Sequence, residues 1–146
     1  MHKKIDVSGI ITKYRESKKY SEIKKLQSDM KNLSNQLRKI VENQKNDLVG
    51  VDLTDAMLPG ADLSNANLRN AILINARLDN ANLEGADLRG ACLYDASIAE
   101  ANLKGADLRG ADLSRSYTTE DSLWATFCEG AKLRDANFDG VADAQD

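Results

Sequence analysis

Ala61-Asp62-Leu63-Ser64-Asn65-Ala66-Asn67-Leu68-Arg69-Asn70 repeats its pattern after five residues, and so does the chain on either side of it. From Val51 to Gly140 the sequence divides into eighteen groups of five with no insertion. The first position is Ala in fourteen of them, unbroken from Ala56 to Ala111; the third is Leu, Ile or Phe in sixteen; the fifth is Gly, Asn or Asp in fourteen. Ala86-Asp87-Leu88-Arg89-Gly90 and Ala106-Asp107-Leu108-Arg109-Gly110 are further examples.

A helix cannot use this pattern. At about 100° per residue a step of five lands about 140° away, so the leucines would spiral around the axis. An extended segment can use it, because positions one and three lie on one side of a strand and positions two and four on the other. Ala and Leu then face inward together, and the mostly polar second and fourth residues face out. The fifth residue redirects the chain, and Gly, Asn and Asp tolerate the backbone conformations that a sharp turn requires. The only proline, Pro59, falls at an outward position. The expected product is a coil of very short strands and tight turns, in which each unit buries its Leu against neighbouring turns.

These in-phase groups resemble the pentapeptide-repeat family over residues 51–140. The resemblance implies an all-β solenoid with four repeats per turn, a right-handed quadrilateral β-helix, and a filled hydrophobic interior. At twenty residues per turn the chain makes about four and a half coils, and a strand spacing of ~4.8 Å gives a rod ~22 Å long. Outward residues twenty apart become stacked neighbours.

The organisation expected is an amphipathic helical segment at 1–47, the β-helix at 48–140 and a short tail at 141–146. Charge changes at the same boundary. Residues 1–47 hold 12 Lys/Arg against 6 Asp/Glu, whereas residues 48–146 hold 8 against 17. The two cysteines, Cys92 and Cys128, make no disulfide framework and suit a reducing compartment. No apolar run reaches signal-peptide or membrane-span length, so the expectation is a soluble, cytoplasmic protein.

In the first segment, Ile23, Leu26, Met30, Leu33, Leu37 and Ile40 recur in steps of three and four. That spacing predicts an amphipathic helix with a heptad seam. Ser8 and Gly9 fit a helix start, while Ile10, Ile11 and Tyr14 fall out of register and suit a separate turn or helix. Two uses of the helix remain open. It caps the exposed first coil, or it pairs with its own copy as a coiled coil. Few charges flank the seam at Gln27, Ser34, Gln36 and Asn43, and the lack of bulky aromatics argues against a membrane surface. At the other end, the last coil near Phe138 lacks a cap and is a candidate dimer contact.

Three features of the outer faces stand out. Arg69, Arg89 and Arg109 stack in a column beside Asn67, Asp87 and Asp107, either as a solvated charge ladder or as a docking stripe for an acidic partner. Ile72, Ile74, Cys92 and Tyr94 fall together on the next face, an apolar patch that fits a contact site or a cover by the N-terminal segment. From Ser116 to Gly130 the pattern breaks. Ser116, Asp121 and Thr126 replace the inward Ala, and Tyr117, Trp124 and Phe127 take outward positions, which fits an irregular, bulged coil or an aromatic contact surface.

Catalysis finds no footing. His2 is the only histidine, so no Ser–His–Asp or Cys–His site assembles. The two cysteines fall on different faces and make no metal site, the glycines recur as turns and not as a phosphate loop, and no cofactor is implied. The function expected is therefore non-enzymatic: a scaffold presenting β-helix faces to a protein partner. Two alternatives accompany it. One is a DNA-mimicking modulator of DNA gyrase or another topoisomerase, which the resemblance and the acidic rod suggest, with no direct binding of nucleic acid. The other is a structural subunit docked in a larger assembly through its N-terminal helix. The partner itself is not legible.

Overall fold

The structure is a computed structural model that describes residues 9, 12–13, 23–118, 134 and 142–143. Its elements are helix α1 (Ile23–Asn43), a 3-10 turn (Lys45–Asp47), the stacked repeats, and two short strands, β1 (Tyr117–Thr118) and β2 (Ala142–Asp143).

The five-residue unit closes a nearly complete account of its backbone N–H groups. The first-position N–H turns back on the third-position carbonyl of the preceding repeat, as in Ala56 to Leu53 (3.0 Å). The second donates to the coil below, as in Ile72 to Val51 (2.8 Å), and the third to the coil above, as in Leu73 to Cys92 (2.7 Å). The fifth also donates upward, as in Asn75 to Tyr94 (2.8 Å). Parallel bridges twenty residues apart, from Asp52↔Ile72 to Ser97↔Tyr117, fix four repeats to each coil. The result is a four-sided β-helix.

Only the fourth-position N–H lacks a backbone acceptor in this scheme, and the second side chain supplies one. The carboxylate or amide oxygen at position two accepts from the N–H two residues on: Asp52 from Thr54 (2.9 Å), Asp62 from Ser64 (3.1 Å), Asn82 from Glu84 (3.2 Å), Asn102 from Lys104 (3.0 Å) and Asp112 from Ser114 (2.9 Å). These Asx turns explain why Asp and Asn dominate the second position. They also explain Pro59, whose missing N–H belongs to the one position that the ladder never uses.

Each fifth position from Gly50 to Arg115 turns the corner at a φ of +54° to +68°. Asn and Asp adopt this left-handed conformation at modest cost, but Glu100 and Arg115 adopt it too, at a cost of about 1–2 kcal/mol each. At Gly85 a Cβ would lie 2.6 Å from Oδ1 of Asn65, so at that corner glycine also leaves room for the side chain one coil below.

Inside, the first and third residues from Val51 to Leu113 are all buried, at no more than 9% exposure. The wall is thus a double file of Ala and Leu, and the alanines let the leucines of the four sides meet on the axis. Burying a Leu side chain is worth about 1.5–3 kcal/mol, so a stack of this kind carries the rod without large aromatics. Ser116 and Thr118 occupy the same inward positions, at 0% and 1% exposure.

The coil starts one repeat before Val51. Leu48 donates to Asn67 O (3.2 Å) and Gly50 to Arg69 O (2.8 Å), in the same register as the later repeats. Helix α1 lies across this open end. Leu37 and Val41 are buried in the same core cluster as the first leucines of the coil, and Ile40 packs against it. The helix end also replaces the missing lower coil. Asp62 N donates to Glu42 Oε1 (2.9 Å) and Asn67 N to Lys45 O (2.7 Å), where later repeats donate to the coil beneath. Ser34 Oγ donates to Met57 O (2.8 Å). Of the heptad seam, Leu37 is buried, Met30, Leu33 and Ile40 are half-buried, and Ile23 and Leu26 contribute to α1 as backbone.

At the far end the register changes. Gly110 N donates to Arg134 O (3.0 Å), twenty-four residues on, where Gly90 reaches Arg109, nineteen on. Tyr117 and Thr118 pair with Ala142 and Asp143, twenty-five residues on instead of twenty. This turn of the coil therefore carries five extra residues. The eighteen groups stand as sequence, but this pairing spans twenty-five residues where four repeats per turn predict twenty, and because the difference is five, the phase of the sequence hides it. Within the segment after Gly140, Ala142 and Asp143 form strand β2 beside β1.

Candidate functional site

The four faces differ in what their outward residues do. On the arginine face, Arg89 forms a forked pair with Asp87 (Nε–Oδ1 2.8 Å, Nη2–Oδ2 2.6 Å), and Arg109 repeats this with Asp107 at 2.8 and 2.6 Å. Arg89 also lies 3.8 Å from Asp107, which links the two coils. Arg69 stands beside Asn67, which offers no charge, and Asn67 Oδ1 is buried without a hydrogen-bond partner. The ladder is thus two self-compensated pairs and one cation without a carboxylate in its own repeat.

The hydrogen bonds from Arg89 hold the Asp87 carboxyl below its ordinary value, against the opposing effect of burial. Asp62 is lowered too, chiefly by its bonds from Ser64. A depressed folded-state pKa stabilises above the unfolded value of 3.8 and is lost as pH falls through the folded value. Asp87→Asn is therefore expected to unfold a few tenths of a kcal/mol more easily at neutral pH, the scale of a surface pair. That difference should shrink as pH falls from about 4 to about 2. Urea midpoints of the two proteins at neutral pH and at low pH measure it; a constant gap would refute the assignment.

The next face carries the apolar patch. Ile72 and Cys92 are bridge partners in one column, capped above and below by Asp112 and Asp52. Ile74 and Tyr94 form the column beside it, where Asn75 N donates to Tyr94 O. Ile72 is 37% exposed; Ile74, Cys92 and Tyr94 are half-buried. Arg115 frames the patch, with its guanidinium 5.5 Å from the centroid of the Tyr94 ring and Nη1 donating to Tyr94 Oη (3.0 Å). With Ile and Cys at position two, the N–H groups of Ile74 and Tyr94 have no Asx acceptor of the kind that Asp52 and Asp112 offer to Thr54 and Ser114. Apolar side chains here are thus held against the local preference of the fold.

Of the aromatic surface, Tyr117 is 46% exposed; Trp124, Phe127, Asp121, Thr126 and Cys128 lie outside the described residues, as do His2, Ser8, Ile10, Ile11, Tyr14 and Phe138. Cys92 carries a free thiol. Among the described residues no group of three or more His, Cys, Asp or Glu is placed to hold a metal ion, and no helix is long and apolar enough to cross a membrane. Sequence reasoning missed Val41, four residues after Leu37 on the same helix face and fully buried. It also missed the Asx bonds, whose signal is the recurrence of Asp and Asn at position two.

The family model for pentapeptide repeats (eight copies) matches residues 47–85 and 76–115. A pentapeptide repeat protein from Nostoc PCC 7120, alr5209, is 30% identical, with 72% of each chain covered and a TM-score of 0.45. The chain belongs to the pentapeptide-repeat family. A second pentapeptide repeat protein, Rfr23 from the cyanobacterium Cyanothece 51142, is 33% identical over 66% of this chain and 59% of its own, at a TM-score of 0.48. The present chain thus spans less than two thirds of that relative's length. QnrB1, a plasmid-mediated fluoroquinolone resistance protein, is 19% identical over 66% of this chain and 55% of its own, at a TM-score of 0.32. No curated protein matches the chain. In the described repeats of this pentapeptide-repeat protein every inward position up to Leu113 is aliphatic, so the charged side chains of those repeats lie on the exterior.

Proposed function

We propose that this pentapeptide-repeat protein is a non-enzymatic, cytoplasmic interaction module whose Ile72–Ile74–Cys92–Tyr94 face receives a protein partner. The observation that carries the reading is the replacement of Asp or Asn by Ile72 and Cys92 in the middle of a column that Asp52 and Asp112 close at either end. Burial of a patch of this kind provides association energy, while the polar residues around it limit non-specific sticking. The arginine ladder and Tyr117 flank the patch as secondary contacts.

The test is affinity capture from the native host with three baits. Partners recovered with the wild type should be lost with Ile72→Asp and kept with Lys104→Ala, which alters the face of the Asn82–Asn102 column. Retention by Ile72→Asp would remove the patch from the function. The DNA-mimic reading draws on the acidic balance of residues 48–146, 8 Lys/Arg against 17 Asp/Glu. The column of Arg69, Arg89 and Arg109 interrupts that acidic surface and weighs against mimicry. A gyrase supercoiling assay with added protein separates the two readings, and inhibition at micromolar protein would favour mimicry.

A further inference from the structure

Two consecutive repeats on adjoining faces depart from the pattern of the wall. In repeat 66–70 the second position is Asn67, where the next two coils have Asp87 and Asp107. In repeat 71–75 it is Ile72, in a column that begins and ends on Asp52 and Asp112.

The first departure releases an arginine. Arg89 and Arg109 are each held by the carboxylate of their own repeat through two bonds, at 2.8 and 2.6 Å. Arg69 has the same place in its repeat and an exposed side chain. Asn67 offers it no carboxylate, and Asn67 Oδ1 receives no hydrogen bond from it. Asp87, one coil above, has both oxygens bonded to Arg89. Three arginines thus share two carboxylates, and among the described residues Arg69 forms no ion pair.

The second departure places apolar groups around that cation. Val49 holds the position of Arg69 one coil below and is 43% exposed. Ile72 follows Arg69 by three residues, across the left-handed corner at Asn70, and is 37% exposed. Gly50 N donates to Arg69 O and Ile72 N to Val51 O, both at 2.8 Å, so the ladder fixes all three residues about one corner. Among the described residues, Val49 and Ile72 are the exposed large aliphatic side chains. A guanidinium presents parallel donors that match a carboxylate. Aliphatic groups of a partner laid on Val49 and Ile72 exclude water beside it, which strengthens such a pair.

We infer that Arg69 is the specificity-determining residue of the Ile72 face: it takes an Asp or Glu carboxylate of a protein partner whose neighbouring aliphatic side chains cover Val49 and Ile72. The inference rests on the reading of that face as a contact surface, and adds the sign of charge that the partner carries.

The probe is a library of random dodecapeptides displayed on phage and selected on the full-length protein. Recovered sequences should carry Asp or Glu close to Leu, Ile or Val. One of them, labelled for fluorescence anisotropy, is then compared with its Asn or Gln counterpart. Asn67→Asp supplies the missing carboxylate and leaves Arg69 in place. Asp is also the residue that the turn at position two favours, so this variant should melt no lower than the wild type by circular dichroism. It should weaken the acidic peptide as much as Arg69→Ala does, by about fivefold, the upper end for an exposed pair. The amide peptide should lose the same factor on the wild type and almost nothing further on either variant. Lys104→Ala should change neither peptide. Recovery of no acidic sequence, or a carboxylate whose removal costs as much on Asn67→Asp as on the wild type, would overturn the inference. In either case, binding that Ile72→Asp still weakens leaves the Ile72 face standing without Arg69, and binding that it leaves unchanged removes the face as well.

Discussion

Leu88→Ala is expected to destabilise the rod by about 2–5 kcal/mol, the range for emptying a fully buried leucine site. Leu88 is 0% exposed and stacks between Leu68 and Leu108, twenty residues away on either side. The wall around it has little freedom to collapse into the cavity. Leu68 N donates to Asp87 O and Leu88 N to Asp107 O, both at 2.8 Å, so the strand is held above and below. Measured as a thermal or urea transition, the loss is a large share of the roughly 5–15 kcal/mol available to a domain. Leu88→Ile keeps the volume and should cost under about 1.5 kcal/mol. A loss below about 1 kcal/mol for Leu88→Ala would mean that the axial leucines are loosely packed.

The second large effect concerns the cap. Leu37→Asp places a carboxylate at a site with 1% exposure, next to Val41 at 0%. Burying an unpaired charge costs several kcal/mol. The helix avoids that cost by lifting off, and it then uncovers the first coil. Two readouts follow. The melting midpoint should fall by about as much as for Leu88→Ala, corresponding to about 3 kcal/mol or more, and the protein should self-associate, because an uncovered coil presents unpaired strand edges. Ser34→Ala removes one hydrogen bond to Met57 O (2.8 Å) and leaves the cap seated, so about 1 kcal/mol is expected. If Leu37→Asp melts like the wild type and shows the same mass in light scattering, the helix contributes nothing as a cap.

Both expectations return to how the sequence is read. The inward file of Ala and Leu, the corner at every fifth residue and the polar exterior were legible because strand sidedness and turn sterics act within five residues. Residues as far apart as Leu53 and Leu108 obey the same local rule. Glu100 and Arg115 show its strength. They have side chains ill-suited to a left-handed corner, yet they adopt one, because the coil below holds the preceding carbonyl: Asn80 N donates to Ala99 O (2.8 Å) and Asp95 N to Ser114 O (3.1 Å).

What the local rule does not contain was decided by tertiary structure. The seam from Ile23 to Ile40 has the same period whether it meets a second helix or the end of a coil. Only the burial of Leu37 and Val41 against the first leucines distinguishes the two environments within this chain. The extra repeat between Tyr117 and Ala142 is invisible for a related reason: a five-residue insertion preserves phase, so its position depends on which strand edges pair across the coil. The forks that make Asp87 and Asp107 partners of Arg89 and Arg109, and leave Arg69 beside a neutral Asn67, are set by side-chain geometry on the folded wall. Periodicity determined which residues point in and which point out. Long-range packing decided what covers the first coil, where the register shifts, and which outward residues remain available to a partner, because those outcomes depend on contacts between segments that the five-residue pattern treats as equivalent.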